Sequence, residues 1–269
     1  MKVIKPMLAH KLEEKRDRVY FPGFVQPKLD GVRCIYSNGE FRSRSTRLIT
    51  SVPKLLKDIQ EYYGDYELDG ELFAPSLKFE DINSCISRTV NIAENMSINY
   101  WVYDIPRSMG FKDRWQSFSS TLDKFPPIRF VACPTYPVRS YDELLVYFKK
   151  FIDQGFEGLI YRHPDCSYEF DKRSLGLLKL KPWHSKEATI VSFEEGKKRL
   201  ANSLGALVCK MVDSGKIVKV GSGLTDHQRS LIWATPQDFV GKIITVKYQE
   251  VTKYGVPRFP VFLCFRESE

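Results

Sequence analysis

A four-residue segment, Lys28-Leu29-Asp30-Gly31, brings an amine, a carboxylate and a glycine into one small space, and Arg33 follows it. The segment lies between two apolar runs and predicts a tight turn. An ordinary surface lysine is protonated and inert. It becomes a nucleophile when nearby cations or desolvation depress its pKa and an electrophile is held in line with it. Lys28 is therefore our candidate for a covalent nucleophile, and a polar surface turn is the alternative.

Two later segments carry groups that suit a nucleotide. Arg44 stands between two serines just after the strand that follows the turn, and a guanidinium among hydroxyls suits phosphate or ribose oxygens. The alternative is a solvated strand end. The strand segment 101–105 (WVYDI) holds Tyr103, an aromatic residue of a kind that usually belongs to the core. Beside a nucleotide-binding lysine it would instead stack on a base.

Acidic residues form two further candidates. Glu67, Asp69 and Glu71 alternate along a predicted strand and so share one face. Three close carboxylates repel one another unless a metal or ribose hydroxyls engage some of them. The alternative is a hairpin with an Asp-Gly turn. Glu157 enters an apolar strand beside Gly158, where a metal or a lysine would compensate its poor solvation.

Paired cations occur twice in the second half of the chain. Alternation places Lys179 and Lys181 on one face of a strand, where two ammonium groups favour an anion and lower the pKa of a third lysine nearby. The alternative is a basic edge strand that deters aggregation. Arg258 and Arg266 bracket an apolar strand near the carboxyl terminus and suit a pyrophosphate leaving group.

The elements around these motifs predict an α+β fold. Apolar spacing indicates helices over 52–62 and 140–154 and a weaker one over 114–124. Ser140 and Glu143 form a capping box, and Gly155 ends the second helix. Short strands over 67–73, 100–105 and 158–161 lie between the helices, which favours antiparallel sheets over a regular βαβ repeat.

The pattern changes after Trp183. About five short strands and one helix over 225–233, capped by Thr225, follow in about 80 residues. This content predicts a small Greek-key barrel of the OB type, with an SH3-like barrel as the structural alternative. We therefore expect two domains, residues 1–185 and 186–269.

Composition narrows the class of protein. The 269 residues are 43% hydrophobic and 28% charged, and a formal net charge of +8 suggests a polyanionic partner, with an inert basic surface as the alternative. The six cysteines are scattered without a C-x-x-C pair, so neither a zinc site nor a disulfide framework is indicated, and a reducing cytosol is expected. We expect no signal peptide and no membrane-spanning segment.

Taken in order, the motifs resemble those of the covalent nucleotidyltransferases, and most closely those of minimal ATP-dependent DNA ligases of viral or phage type. The resemblance runs from residue 5 to residue 266. It rests on segments 28–33 (KLDGVR), 43–45 (SRS), 67–72 (ELDGEL), 101–105 (WVYDI), 157–162 (EGLIYR), 178–183 (LKLKPW), 219–225 (KVGSGLT) and 258–266 (RFPVFLCFR). It implies a nucleotidyltransferase (adenylation) domain of ATP-grasp-like antiparallel sheets with helices, followed by an OB-fold barrel.

The resemblance also implies an enzyme and its reaction. Such a ligase seals 5′-phosphate/3′-hydroxyl nicks in duplex DNA in replication, repair and recombination. It uses ATP as the AMP donor and Mg²⁺, or alternatively Mn²⁺, and passes through a lysine–AMP intermediate at Lys28 and then a DNA-adenylate. The expected partner is nicked double-stranded DNA, bound by a monomer without a membrane. The expected location is the cytoplasm of a bacterium or phage-infected cell, or the nucleus or virus factory for a eukaryotic virus.

By this resemblance, several residues of the chain would bind the nucleotide. Gln26 would face the adenine edge and Tyr103 would stack on the adenine ring. The ribose and phosphate oxygens would be held by a set of charged side chains: Arg33, Arg44, Glu71, Lys179 and Lys181.

The remaining roles concern the reacting groups. Asp30, Lys179 and Lys181 would assist Lys28 in catalysis. Glu157 with Glu71, or with Asp30, would bind the metal. Arg258 and Arg266 would orient pyrophosphate, which requires a hinge near 182–187.

Two departures from the family pattern stand out. Residues 267–269 (ESE) replace an Asp-Lys pair that often follows the last motif, and the turn over 196–205 is too short for a hairpin that wraps DNA. We expect no amino-terminal DNA-binding domain. The alternatives are an RNA ligase or a capping guanylyltransferase, and, from another class, a non-catalytic nucleic-acid-binding protein.

Overall fold

The computed structural model describes residues 3–64, 66–122, 129–252 and 254–266. The chain divides into two compact units, Met1–Lys181 and Pro182–Glu269. This division precedes the expected boundary at 185/186, because the first strand of the second unit already begins at His184.

The first unit consists of strands and helices in an α+β order. Its elements are β1 (Leu8–Lys11), β2 (Gly23–Lys28), β3 (Val32–Ser37), β4 (Glu40–Ser43), α1 (Pro53–Tyr63), β5 (Leu68–Phe73), α2 (Phe79–Ile86), β6 (Asn99–Asp104), α3 (Phe111–Leu122), β7 (Phe130–Ala132), β8 (Tyr136–Val138), α4 (Tyr141–Asp153), β9 (Gly158–Arg162) and β10 (Arg173–Leu180).

These strands form two five-stranded sheets. The first has the order β1-β10-β9-β2-β8 and the second the order β4-β3-β5-β6-β7. Neighbouring strands are antiparallel except for the pairs β1/β10 and β6/β7. Because β2 belongs to one sheet and β3 to the other, the turn after Lys28 carries the chain from the first sheet to the second. The predicted α+β fold with antiparallel sheets is confirmed.

The glycine of this turn is required by a close approach. A Cβ atom on Gly31 would lie 2.4 Å from the backbone oxygen of Leu72 in β5. Real side chains do not tolerate such a contact, so only glycine lets the turn pack against the second sheet. The turn is therefore held in place, and Lys28 with it.

The predicted helices are present with small shifts. Ser140 caps α4 by accepting a 3.2 Å hydrogen bond from the backbone N–H of Glu143, and Gly155 adopts a φ of +84° beyond its end. Helix α1 packs Leu55 and Ile59 into the core. Helix α3 begins three residues before the predicted Arg114, and residues 123 and 124 of that prediction lie outside the described residues.

The second unit is a closed barrel with one helix. Its elements are β11 (His184–Glu195), β12 (Leu204–Met211), β13 (Ile217–Val220), α5 (Asp226–Ala234), β14 (Ile243–Tyr248), β15 (Glu250–Val251), β16 (Pro257–Arg258) and β17 (Val261–Phe265).

The main sheet of this unit has the order β13-β12-β11-β14-β17. Ser222, just after β13, bridges Val261 in β17, and this contact joins the two edges of the sheet. Thr225 caps α5 with a full capping box. Only eight residues, 196–203, connect β11 to β12, so the predicted short turn is present.

None of the described helices combines the length and the hydrophobicity that a membrane span needs.

A buried arginine ties α5 to the barrel. Arg229 donates hydrogen bonds to the backbone oxygens of Leu204, Gly205 and Gly221 at 2.8, 2.9 and 2.5 Å, and it is only 6% exposed. Replacing it leaves those carbonyls without their donors. Buried groups in that state cost the fold free energy.

We therefore expect Arg229→Met to lower the free energy of unfolding by about 3 kcal/mol, because a charged donor to buried carbonyls is lost. Denaturant unfolding measures this. Arg199→Met is the matched control, since Arg199 is exposed and pairs with Asp226 at the surface, and its effect should stay within about 0.5 kcal/mol. Equal stability of the two variants would contradict the assignment.

Candidate active site

A cavity of about 580 Å³ lies in the first unit, lined by strands of both sheets. The last residue of β2 is Lys28, which lines this cavity just before the turn to β3. Most of the predicted nucleotide-binding residues line the same cavity: Gln26, Arg33, Arg44, Glu71, Tyr103 and Lys179. The fold thus gathers in one place residues that are up to about 150 positions apart in the sequence.

One carboxylate holds two lysines at the edge of this cavity. Glu157 contacts the Lys28 Nζ atom through Oε2 and the Lys181 Nζ atom through Oε1. The side chains are 11%, 20% and 15% exposed, respectively, so water screens their charges little. The sequence left a metal and a lysine open as the partner of Glu157. The structure provides two lysines.

Strand register places the members of this cluster. The backbone N–H of Glu157 donates to the Lys28 carbonyl at 3.0 Å, and Gly158 is the register partner of Lys28 between β9 and β2. A Cβ atom on Gly158 would lie 2.2 Å from the Leu180 oxygen. Only glycine allows β10 to come this close, and so brings Lys181 to Glu157.

Lys179 completes a dense group of positive charges. Burial lowers the pKa of Lys179, and the nearby charges of Lys28 and Lys181 lower it further. Strand β10 lies between β1 and β9, inside the sheet. The alternative of a basic edge strand is therefore wrong. An anion entering the cavity would meet Lys28 and Lys179, which line it, while Lys181 is held by Glu157.

The acidic residues of β5 have separate partners. Asp69 accepts hydrogen bonds from the Arg33 Nε and Nη2 atoms at 3.0 and 2.6 Å. Glu71 accepts one from the Tyr103 hydroxyl at 3.2 Å, and burial raises the pKa of Glu71 to about 7. Glu67 precedes the strand and borders a different groove. The three carboxylates therefore do not act as one cluster.

Asp69 and Gly70 lie in the middle of β5, so the alternative of a hairpin turn at this Asp-Gly pair is wrong. A Cβ atom on Gly70 would lie 2.4 Å from the Trp101 oxygen of β6. The glycine serves close strand contact rather than a turn.

Two arginines that line the cavity were not singled out from the sequence. Arg162, at the end of β9, is 3% exposed and donates to Gln26 and Asp104 at 2.7 and 2.6 Å. Arg173, at the start of β10, donates to the Ala9 oxygen at 2.6 Å. The sequence offered a signal for Arg162 alone: it ends the apolar segment 157–162, and a charged residue is unusual in a strand that faces a core.

The remaining predicted residues lie elsewhere or apart. Asp30 is exposed in the turn and is not among the residues that line the cavity. Arg258 and Arg266 belong to the second unit, where they pair with Glu250 and Glu187 at 3.1 and 2.8 Å. The departure predicted at residues 267–269 lies outside the described residues.

The acidic side chains near the cavity suit a metal ion whose remaining ligands are substrate phosphates and waters. Among the residues that the structure describes, no group of three or more His, Cys, Asp or Glu side chains could hold a metal ion. Mg²⁺ usually needs only one or two carboxylates, since substrate phosphates and waters complete its shell. Glu71, and Glu157 once a lysine has left one of its oxygens, are the carboxylates that such an ion would use.

Comparison with known proteins decides the family. Residues 6–181 match the model of the ATP-dependent DNA ligase domain, and residues 195–266 match that of the DNA ligase OB-like domain. The chain belongs to the ATP-dependent DNA ligase family. The OB-type barrel is thereby confirmed, and the SH3-like alternative is wrong.

Bacterial and viral DNA ligases are among the relatives of this ligase. It is 29% identical to the DNA ligase of Haemophilus influenzae over 239 residues, 88% of this chain and 84% of that protein. A solved structure from a study of Lig E DNA ligases is 25% identical with a TM-score of 0.80, covering 98% of this chain and 100% of its own. The Chlorella virus DNA ligase-adenylate is 27% identical with a TM-score of 0.60, covering 100% of both chains.

These matches confirm the predicted enzyme class, a DNA ligase, and the use of ATP that defines its family. They favour it over the RNA ligase, the capping enzyme and the non-catalytic binding protein.

We expect Glu71→Gln to flatten the pH dependence of stability between pH 4.5 and about 7. Folding raises the pKa of Glu71 from 4.5 to about 7, so in this interval the folded protein keeps a proton that the unfolded chain has released. The stabilisation is complete below pH 4.5 and is lost as the pH rises toward 7.

Thermal unfolding of wild type and Glu71→Gln across this range measures the difference. Glu61→Gln, on the exposed side of α1, is the control and should keep the wild-type profile. Parallel curves for wild type and Glu71→Gln would show that this carboxyl does not retain its proton.

Proposed function

We propose that this ligase seals 5′-phosphate/3′-hydroxyl nicks in duplex DNA through AMP bound covalently to Lys28. The observation that carries the proposal is the position of Lys28. Lys28 lines a cavity whose other lining residues include polar and aromatic side chains. Its amine contacts the Glu157 carboxylate, and Lys179 and Lys181 lie beside it. A surface lysine without such neighbours would remain an inert cation.

In the first step, the Lys28 Nζ atom attacks the α-phosphorus of ATP. A phosphorus–nitrogen bond forms, the bond from the α-phosphorus to the bridging oxygen breaks, and pyrophosphate leaves with that electron pair. A protonated amine has no lone pair for this attack, so Nζ must first lose a proton. Glu157 is the base in contact with it.

The other lining residues bind the nucleotide in this proposal. Tyr103 stacks on the adenine ring, and Glu71 lies beside it to hold ribose hydroxyls. Arg33 and Arg44 neutralise phosphate oxygens. Lys179 and Lys181 bind the α-phosphate, for which the Lys181 ammonium leaves Glu157. Arg258 and Arg266 assist the pyrophosphate leaving group, and Asp30 supports the lysine turn.

Glu157 and Glu71 are the proposed ligands of Mg²⁺, or of Mn²⁺ in its place. Such an ion bound with the nucleotide supplies charge neutralisation at the phosphates. Once Lys28 carries AMP, its nitrogen is no longer an ammonium. The Glu157 oxygen that it occupied is then free to contribute to the metal site.

The later steps transfer AMP from Lys28 to the 5′-phosphate of the nick and then join the strands. The nick phosphate is a dianion and a poor electrophile, so its conversion to a pyrophosphate linkage supplies a good leaving group. The 3′-hydroxyl attacks the phosphate, the new phosphodiester forms, and AMP departs. We propose that a monomer acts on nicked DNA in the cytoplasm of a bacterium or infected cell, or in the nucleus or virus factory for a eukaryotic virus.

We expect Lys28→Ala to take up no label when incubated with α-labelled ATP and Mg²⁺ and then denatured, because only this amine forms the covalent bond. The same variant should still bind nicked duplex and should still join a nick that already carries AMP, since that step needs no new phosphorus–nitrogen bond.

Lys149→Ala is the matched control. Lys149 is exposed on α4 and pairs with Asp153, so this variant should label and seal as wild type does. Sealing by Lys28→Ala at the wild-type rate with ATP would refute the mechanism. Label on Lys28 from GTP alone would favour a capping enzyme instead.

A further inference from the structure

The side-chain amide of Gln26 has both of its N–H groups engaged. Its Nε2 atom donates to the Tyr103 backbone oxygen at 3.0 Å and to the Thr135 hydroxyl at 2.9 Å. Its Oε1 atom accepts from the Arg162 Nε atom at 2.7 Å. An amide oxygen has two lone pairs, so one acceptor position remains on Oε1. Gln26 lines the cavity although it is only 1% exposed.

These contacts allow one orientation of the amide. A flipped amide would turn its N–H groups toward the Arg162 Nε–H and its oxygen toward the Tyr103 carbonyl. Both contacts would then join like partners, donor to donor and acceptor to acceptor. The amide of Gln26 is therefore locked with its oxygen on the side of Arg162.

Arg162 is itself immobilised by a buried ion network. Its Nη1 atom donates to the Asp104 Oδ2 atom at 2.6 Å, and Arg114 donates to the Asp104 Oδ1 atom at 2.7 Å. All three side chains are at most 4% exposed. Buried charges held from both sides do not rotate freely, because losing a partner there is costly.

Arg162 also has guanidinium N–H groups that can donate to a ligand. A guanidinium has five N–H groups, and within the described part of the chain the remaining ones of Arg162 have no hydrogen-bond partner. Arg162 lines the same cavity as Gln26 and Tyr103, with its guanidinium carbon 5.5 Å from the centre of the Tyr103 ring. The base end of the cavity thus has an acceptor next to a donor.

We propose that Arg162 is a specificity-determining residue that makes this site select adenine over guanine. It does so by fixing the Gln26 oxygen as an acceptor and by offering its own N–H as the adjacent donor. This inference rests on the proposed function, in which the cavity binds ATP.

The chemistry of the two bases explains the selection. Adenine carries an amino group beside a ring-nitrogen acceptor, which matches an acceptor next to a donor. Guanine carries a carbonyl oxygen where adenine has its amino group. That oxygen would face the Gln26 oxygen, and the locked amide cannot flip to accommodate it. An unpaired polar group in a site built for a hydrogen bond is strongly disfavoured.

The experiment measures transfer of label to Lys28 from α-labelled ATP and from α-labelled GTP, with kcat/KM for each. Arg162→Met keeps the bulk of the side chain and removes its donors. We expect the ratio of ATP to GTP use to fall by about tenfold or more, as for loss of a paired base contact. The inference is overturned if Arg162→Met keeps the wild-type ratio.

Arg114→Met is the matched control, because Arg114 shares Asp104 with Arg162 but does not contact Gln26. It should keep the wild-type nucleotide ratio even where thermal unfolding shows lower stability. A purely structural network would instead give both variants the same ratio.

Gln26→Met tests the acceptor separately and leaves the pair of Arg162 and Asp104 in place. It should also lower the ratio, and an unchanged ratio would overturn the proposal even if Arg162→Met failed to fold. A wild type that takes label from neither nucleotide would contradict the proposed function, and this inference with it. A wild type labelled from ATP whose variants keep its ratio would contradict this inference alone.

Discussion

The Glu157 carboxylate, shared between Lys28 and Lys181, is the contact on which the site depends. Two ammonium groups that share one carboxylate would repel each other in its absence, because their side chains are largely shielded from water, and the carboxylate offsets this repulsion. Its place is set by backbone register, through the Lys28 carbonyl and the close approach of β10 at Gly158. The Lys28 side chain is thereby held at the cavity by contacts within the protein.

The cavity has two ends with different electrostatics. At the lysine end, Lys28, Lys179 and Lys181 lie together, and burial, followed by the charges of Lys28 and Lys181, lowers the pKa of Lys179. This end suits phosphates. At the other end, Arg162 and Arg114 share the carboxylate of Asp104, and the fixed directions of the hydrogen-bonding groups on Arg162 and Gln26 act on an uncharged base. Tyr103 donates to Glu71, and its ring centre lies 5.5 Å from the guanidinium carbon of Arg162.

Local patterns in the sequence predicted much of this correctly. The capped helix α4, the barrel strands, and Lys28 with six further residues that line the cavity were predicted, because alternation and capping are local properties. The Asp-Gly pair of β5 was ambiguous, since the same two residues serve a hairpin or a close strand contact. Whether β10 is an edge strand or an interior strand was equally ambiguous, since the order of strands in a sheet is not a local property of the sequence.

By itself, the sequence determined the family and singled out Lys28 as the candidate nucleophile, because a set of short motifs in fixed order is specific even when each motif is weak. Only the tertiary structure decided which charges meet. In the structure, Glu157 pairs with two lysines, Asp69 pairs with Arg33, and the Gln26 amide accepts a hydrogen bond from Arg162. The physical reason is that such pairs join strands distant in the chain, and their geometry follows from sheet register, which no short segment contains.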